Sequence, residues 1–141
     1  MKKKLIVSLL LIAFILRMVY VSQNELDIDS ASYFAGYGAS LTTASDTSLK
    51  LEFSVIATRK MTKLGVSSIE LYDSRGNLQY EYKYEDSRSG VLLAYETGRH
   101  SGYQIFPAEL GKTYHAVITF YAQDDNENRH SIYTTPKVRV E

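Results

Sequence analysis

The chain lacks cysteine and tryptophan altogether, and its 141 residues include only two prolines. Without cysteine there are no disulfides, no thiolate ligands for a metal and no attachment point for a lipoprotein anchor. An excess of basic charge is also missing, because sixteen lysines and arginines balance sixteen acidic residues. Outside the first few residues the charges are scattered. This disfavours nucleic-acid binding, which needs clustered Lys and Arg against the phosphates.

The first 22 residues have the pattern of an export signal. Lys2, Lys3 and Lys4 precede an apolar run over residues 5–16, and a positive stretch before such a run is typical of a signal peptide. As a helix the run spans only about 18 Å of a hydrocarbon core about 30 Å thick, which favours cleavage over anchoring. Arg17 followed by more apolar residues, and the missing A-x-A site, leave an uncleaved membrane anchor open. Both alternatives predict an extracellular or cell-surface protein.

The part after the leader is expected to be one mildly acidic domain. Residues 23–31 are polar and acidic and predict a flexible spacer, and residues 32–141 have the size of one domain. The leader contains four basic residues, so twelve basic side chains remain against sixteen acidic ones. An exported domain without cysteine indicates a Gram-positive type of surface.

Alternating hydrophobicity predicts an all-β fold. Val, Ile, Thr and Tyr stand in short alternating runs, which are typical of strands, and the clearest strand covers residues 49–57. A glycine-containing hairpin turn is predicted at residues 73–77, a turn region at 98–102 and a polar loop at 123–130. Further strands are predicted over residues 32–41, 66–72, 78–84, 91–95, 103–106, 113–121 and 132–140. Seven or eight short antiparallel strands of this kind predict a β-sandwich, preceded by the N-terminal signal or anchor helix.

One short motif resembles a known structural feature. Leu110 and Gly111 precede Tyr114, which opens an alternating strand, and this arrangement is similar to the tyrosine corner of immunoglobulin-like and fibronectin type III domains. The resemblance implies a buried Tyr114 ring whose hydroxyl is hydrogen-bonded to the backbone near Glu109 or Leu110. The alternative is that Tyr114 is an ordinary aromatic residue of the strand.

A wider resemblance covers residues 33–138. The residues that carry it are Met61-Thr62-Lys63-Leu64-Gly65, Ser68-Ile69-Glu70-Leu71-Tyr72, His100-Ser101-Gly102, Gly111-Lys112-Thr113-Tyr114, Val117-Ile118-Thr119-Phe120-Tyr121-Ala122 and Tyr133-Thr134-Thr135. In this order they resemble an uncharacterised family of small exported Firmicutes proteins with an immunoglobulin-like sandwich. The resemblance implies a fold and a location, and it does not imply a reaction.

No catalytic or metal-binding motif is recognisable. His100, His115 and His130 have no spacing that matches a hydrolase or metalloprotease motif, and we expect them to be ordinary loop or strand residues. The acidic run at residues 124–128 does not match the EF-hand, which needs glycine at the sixth loop position, where Arg129 stands. We therefore expect no enzyme activity, no cofactor and no metal.

Tyrosines provide the main functional hypothesis. Tyr80, Tyr82 and Tyr84 share one strand face, and they form either an exposed platform for a protein or glycan or part of the packing between sheets. We expect a monomeric, non-catalytic binding module at the cell surface that touches the membrane only through residues 1–22, if these are retained. The alternative function is a secreted inhibitor or immunity-type protein that acts through the loop at residues 123–130.

Overall fold

The computed structural model describes residues 32–86, 92–125 and 127–141. The predicted leader and spacer, at residues 1–22 and 23–31, lie outside the described residues. Within the described ranges the chain is all-β and forms one antiparallel curled sheet of seven strands. The strands are β1 (Phe34–Ser45), β2 (Ser48–Asp73), β3 (Leu78–Lys83), β4 (Leu93–Pro107), β5 (Thr113–Asp124), β6 (Glu127–Thr134) and β7 (Val138–Arg139), with a 3-10 turn at Tyr84–Asp86. These ranges hold no helix with the length and hydropathy to cross a membrane.

Strand β2 organises the sheet because its 26 residues pair along both sides. Near its start, Val55 lies opposite Tyr37 of β1 on one side and opposite His100 of β4 on the other. Farther along, β5 replaces β1 on the first side, and β3 follows β4 on the second. Strands β6 and β7 pair with β5.

We call the two parts of the sheet its first and second halves. The first half consists of β1, residues 48–57 of β2 and residues 99–107 of β4. The second half consists of residues 61–73 of β2, residues 93–97 of β4, and strands β3, β5, β6 and β7. The register between β2 and β4 shifts between Ile56 and Met61, at the boundary of the two halves, and such irregularities bend a sheet.

The curl brings the inner faces of the two halves together around one core. Tyr37 of β1 contacts Phe120 of β5, with ring centres 5.0 Å apart, and Phe106 of β4 contacts Tyr82 of β3 at 5.3 Å. The largest fully buried side chains are Phe106, Phe120, Leu49, Leu51, Met61, Leu64, Ile69, Leu71, Leu92, Ile118, Val55 and Val66. Burial of this apolar surface is the main driving force for folding.

Several predicted strand boundaries are wrong because the structure continues the strands through the predicted breaks. The strands predicted at 49–57 and 66–72 are one continuous strand, β2, and those predicted at 91–95 and 103–106 are joined in β4. The turn predicted at 98–102 lies inside β4, because pairing with β2 satisfies its backbone despite Gly98 and Gly102. Most of the loop predicted at 123–130 belongs to strands β5 and β6, because residues 127–130 pair with 121–124.

The hairpin turn between β2 and β3 is confirmed. Gly76 adopts a φ of 83°, a left-handed value that glycine reaches without strain. The Asp73 carboxylate accepts the backbone N–H groups of Arg75 and Asn77 at 2.8 and 2.9 Å. The bond from the Asn77 N–H has the largest effect, and together the two bonds lower the pKa of Asp73 below its usual 3.8.

Candidate binding surface

The three tyrosines singled out in the sequence occupy two different places. Tyr80 and Tyr82 lie opposite Leu71 and Ile69 of β2, so they project from the inner face of β3. Both rings contact Phe106, at 6.2 and 5.3 Å between centres. Tyr84 stacks on Tyr121 at 6.2 Å. The structure thus brings Tyr80 and Tyr82 together over Phe106 and places Tyr84 against a different ring.

Exposure differs among these three residues. Tyr80 is 40% exposed, whereas Tyr82 and Tyr84 are half-buried against the core. Inner-face packing therefore accounts for most of the contacts of these rings, and only Tyr80 offers a substantial accessible surface.

The motif around Tyr114 joins the start of β5 to the backbone before it. Tyr114 is 3% exposed, and its hydroxyl accepts the backbone N–H of Glu109 at 3.0 Å. Gly111 has a φ of 85°, and its N–H is donated to the carbonyl of Val140 at 2.7 Å. Leu110 points outward between them and is exposed. This buried ring with a backbone hydrogen bond is a structural feature and leaves no side chain free for a ligand.

The outer face of β4, opposite the core, carries three exposed large side chains. Tyr95, Tyr103 and Ile105 are 61%, 52% and 43% exposed. Lys50 of β2 places its ammonium 4.8 Å from the ring centre of Tyr103, and Lys63 lies 5.9 Å from that of Tyr95. Cation–π contacts of this kind hold the rings in place without covering them.

Tyr103 lies opposite Glu52 of β2, and a row of small residues runs along one side of this pair on the outer face. Ser101 of β4 lies opposite Ser54 of β2, and Ser54 lies opposite Gly38 of β1. A Cβ atom added at Gly36 or Gly38 would meet no atom within 4 Å. Tyr103 and Ile105 consequently stand beside a low, polar floor that crosses three strands. We call Tyr103, Ile105 and this floor of Gly38, Ser54 and Ser101 the outer platform.

Several side chains on the outer face of the second half pack against one another. Tyr72 stacks on His115 at 5.4 Å and donates its hydroxyl to Glu70 at 2.9 Å, a bond that raises the pKa of Tyr72. Tyr121 lies 5.0 Å from His130, between ring centres, and donates its hydroxyl to Gln123 at 2.6 Å. Burial raises the pKa of Tyr121 and lowers that of His130.

The histidines and the acidic run do not converge. His100 packs against Phe53 on the inner face of the first half, at 5.7 Å between ring centres, whereas His115 and His130 lie on the outer face of β5 and β6. Across residues 32–86, 92–125 and 127–141, no three His, Asp or Glu side chains are grouped as metal ligands.

A charged cluster ties the start of the domain to the hairpin between β5 and β6. The Tyr33 ring lies between the guanidinium groups of Arg59 and Arg129, each 5.1 Å from its centre. Arg59 also binds the Asp124 carboxylate through Nε at 3.0 Å and Nη2 at 2.6 Å. Tyr33 is buried, so this cluster closes one end of the core rather than opening a site.

The sequence interpretation missed the outer platform because it placed a turn across residues 98–102. The signal was present: Arg99, Ser101, Tyr103 and Ile105 alternate with residues that face inward, and the alternation runs through both glycines.

The sequence matches no known protein-family model and no curated protein sequence. The candidate surface is therefore defined by its geometry alone.

Proposed function

We propose that the chain is a non-catalytic binding module that is exported and acts at the bacterial cell surface or in the medium. The observation that carries the proposal is the outer platform, where Tyr103 and Ile105 stand exposed beside a floor of small residues. Tyrosine combines a flat apolar ring with a polar hydroxyl, which suits both protein and glycan surfaces.

The fold proposed for this module is an immunoglobulin-like sandwich. The first and second halves of the curled sheet act as its two sheets, and β2 and β4 pass from one sheet to the other. Two observations support this: the inner faces meet at Tyr37 and Phe120, and Tyr114 makes a backbone contact at Glu109 like that of a tyrosine corner.

Residues 1–22 support the proposed location. Their lysines and apolar run direct the chain out of the cytoplasm, and retention or removal of the segment decides whether the module stays at the membrane. Tyr33, which closely follows residues 1–31 in sequence, contacts Arg59, and Arg59 in turn binds Asp124.

The mode of binding follows from the platform's shape and charge. The floor of Gly38, Ser54 and Ser101 leaves a ligand room to approach the Tyr103 ring from that side, because these three residues are small. Lys50 is held over the ring and bridged to Glu52 at 3.4 Å, so both charges are at the border of the platform. A ligand therefore stacks on or packs against Tyr103 and Ile105, and it makes polar contacts at the rim.

Binding to isolated cell envelopes tests the proposal. Full-length chain with a fluorescent label should bind saturably, and the double substitution Tyr103→Ser/Ile105→Ser should weaken binding about tenfold or more, as expected for exposed anchor residues. Tyr80→Ser is the matched control, because Tyr80 is also exposed but lies on the inner face. Protease treatment of the envelopes abolishes binding if the partner is a protein, and periodate oxidation abolishes it if the partner is a glycan.

Two outcomes would contradict the proposal. One is binding no stronger than that of heat-denatured chain. The other is a larger loss for Tyr80→Ser than for the double substitution, which would move the site to the tyrosines of β3.

A further inference from the structure

The free edges of the sheet differ in charge. An edge strand exposes unpaired N–H and C=O groups, and proteins usually protect such edges with charged residues, proline or a covering element. Among the described residues, strands β3, β4, β6 and β7 each pair with a single strand, and each carries charge: Lys83 in β3, Arg99 in β4, Arg129 in β6 and Arg139 in β7.

Strand β1 has no such protection. Its twelve residues, FAGYGASLTTAS, contain no charged side chain and no proline. In the described part of the chain it pairs with β2 alone. On the inner face its Tyr37 ring contacts Phe120 of β5, and near its end the Thr43 hydroxyl lies 3.5 Å from the Arg139 carbonyl of β7. Residues 34–42 therefore present a long, neutral row of backbone groups.

This edge is complementary to itself. When two copies of β1 run antiparallel with Gly38 on the twofold axis, Gly36 lies opposite Ser40 and Tyr37 opposite Ala39. Residues directly opposite each other then share a face, so inner side chains meet inner side chains. No like charges meet, because the strand has none. The same pairing of β6 or β4 would bring charged residues of two copies close together.

We propose that β1 of one copy pairs with β1 of a second copy and joins two sheets edge to edge in a symmetric dimer. This departs from the single copy expected from the sequence, and it places Gly38, which is also part of the floor of the outer platform, on the twofold axis. A twofold contact of this kind is closed, because both copies use the same strand and neither β1 edge remains open for a third copy.

The missing cysteines permit a direct test. Gly38→Cys in the full-length chain puts the only two thiols of a dimer opposite each other, with Cα atoms about 5 Å apart, within the range that a disulfide bridges. The control is Ile132→Cys, because Ile132 is highly exposed on the edge strand β6. After mild oxidation at micromolar concentration in mild detergent, Gly38→Cys should give about tenfold more disulfide-linked dimer than the control.

The register is tested by mixing variants. Gly36→Cys should cross-link with Ser40→Cys and only weakly with itself. Equal cross-linking of Gly38→Cys and Ile132→Cys would overturn the proposal, because random collision favours the more exposed control. Efficient self-linking of Gly36→Cys without the mixed product would overturn the register.

A charge test does not depend on thiols. Gly38→Lys places two ammonium groups opposite each other at the axis, whereas Gly38→Thr keeps the strand neutral. Neither substitution meets an atom within 4 Å at Cβ, so the fold of each copy tolerates both. In sedimentation velocity of the full-length chain, wild type and Gly38→Thr should form dimer and Gly38→Lys should not. Loss of dimer in both variants, or in neither, would contradict pairing through β1.

Discussion

The two halves of the sheet differ in how the side chains on their outer faces are packed. In the second half, Tyr72 and Tyr121 lie on the outer face, where they contact the rings of His115 and His130 and donate hydrogen bonds to Glu70 and Gln123. In the first half, the outer positions of β1 opposite residues 52–56 of β2 are Gly36, Gly38 and Ser40, and Tyr103 and Ile105 of β4 stand exposed. Several outer side chains of the second half thus pack among themselves, whereas Tyr103 and Ile105 remain accessible.

This difference teaches where to look for function. Residues that pack among themselves are already satisfied, so changing them lowers the free energy of unfolding. Exposed residues such as Tyr103 and Ile105 contribute little to folding, so they are available to the partner that we propose. Both the outer platform and the free edge of β1 lie in the first half.

The largest expected effect is the difference in free energy of unfolding between two glycine-to-alanine substitutions, one in each half of the sheet. A Cβ at Gly65, in the second half, would lie 2.0 Å from the Leu92 carbonyl oxygen. We expect Gly65→Ala to lower the free energy of unfolding by about 3 kcal/mol, because backbone must move to admit the methyl group. Gly38→Ala, in the first half, should change it by less than about 1 kcal/mol and in the stabilising direction.

Urea unfolding followed by circular dichroism measures both variants. If Gly65→Ala lowers the free energy of unfolding no more than Gly38→Ala does, the close contact between Gly65 and Leu92 is not present. The tighter packing of the second half would then also be rejected.

A smaller effect is expected from tyrosines on the two outer faces. Tyr121 is 9% exposed and contacts Tyr84 and His130, so Tyr121→Ala should lower the free energy of unfolding by about 2 kcal/mol. Tyr103→Ala should lower it by less than about 0.5 kcal/mol, because an exposed side chain loses little on truncation. Comparable losses in the same urea titrations would remove the distinction between the two faces.

The smallest expected effect is the pH dependence of the free energy of unfolding that comes from His130, on the outer face of the second half. Burial lowers the pKa of His130 below 6.5 in the folded chain, so the unfolded chain binds the proton more readily. The free energy of unfolding should therefore fall as pH drops through 6.5 toward the folded-state pKa, and His130→Gln should reduce this dependence. Urea titrations of wild type and His130→Gln between about pH 5 and 8 measure the difference. An unchanged slope in His130→Gln would show that burial of His130 has no such effect.

Local patterns predicted the parts of the fold that depend on neighbours in sequence. Alternation at residues 49–57 identified a strand and its buried face, and Leu49, Phe53 and Val55 are all buried. The turn at Gly76 followed from glycine's access to positive φ. These features need no information about distant strands.

The remaining features depend on distant strands. Residues 58–63 are mostly polar and interrupt the alternation, yet they continue β2. Alternation placed Tyr80 and Tyr82 on one face of β3, but it could not tell that this face meets Phe106. Likewise, the exposure of Tyr103 depends on Glu52 and Ser54, which become its neighbours only when β2 and β4 are paired.

The most direct test of the central claim measures binding and stability on the same preparations of wild type and Tyr103→Ser/Ile105→Ser. We predict that the double substitution weakens saturable binding to cell envelopes about tenfold or more, while the free energy of unfolding changes by less than about 1 kcal/mol. Unchanged binding together with a large loss of stability would contradict the claim, because the outer platform would then serve the fold rather than a partner.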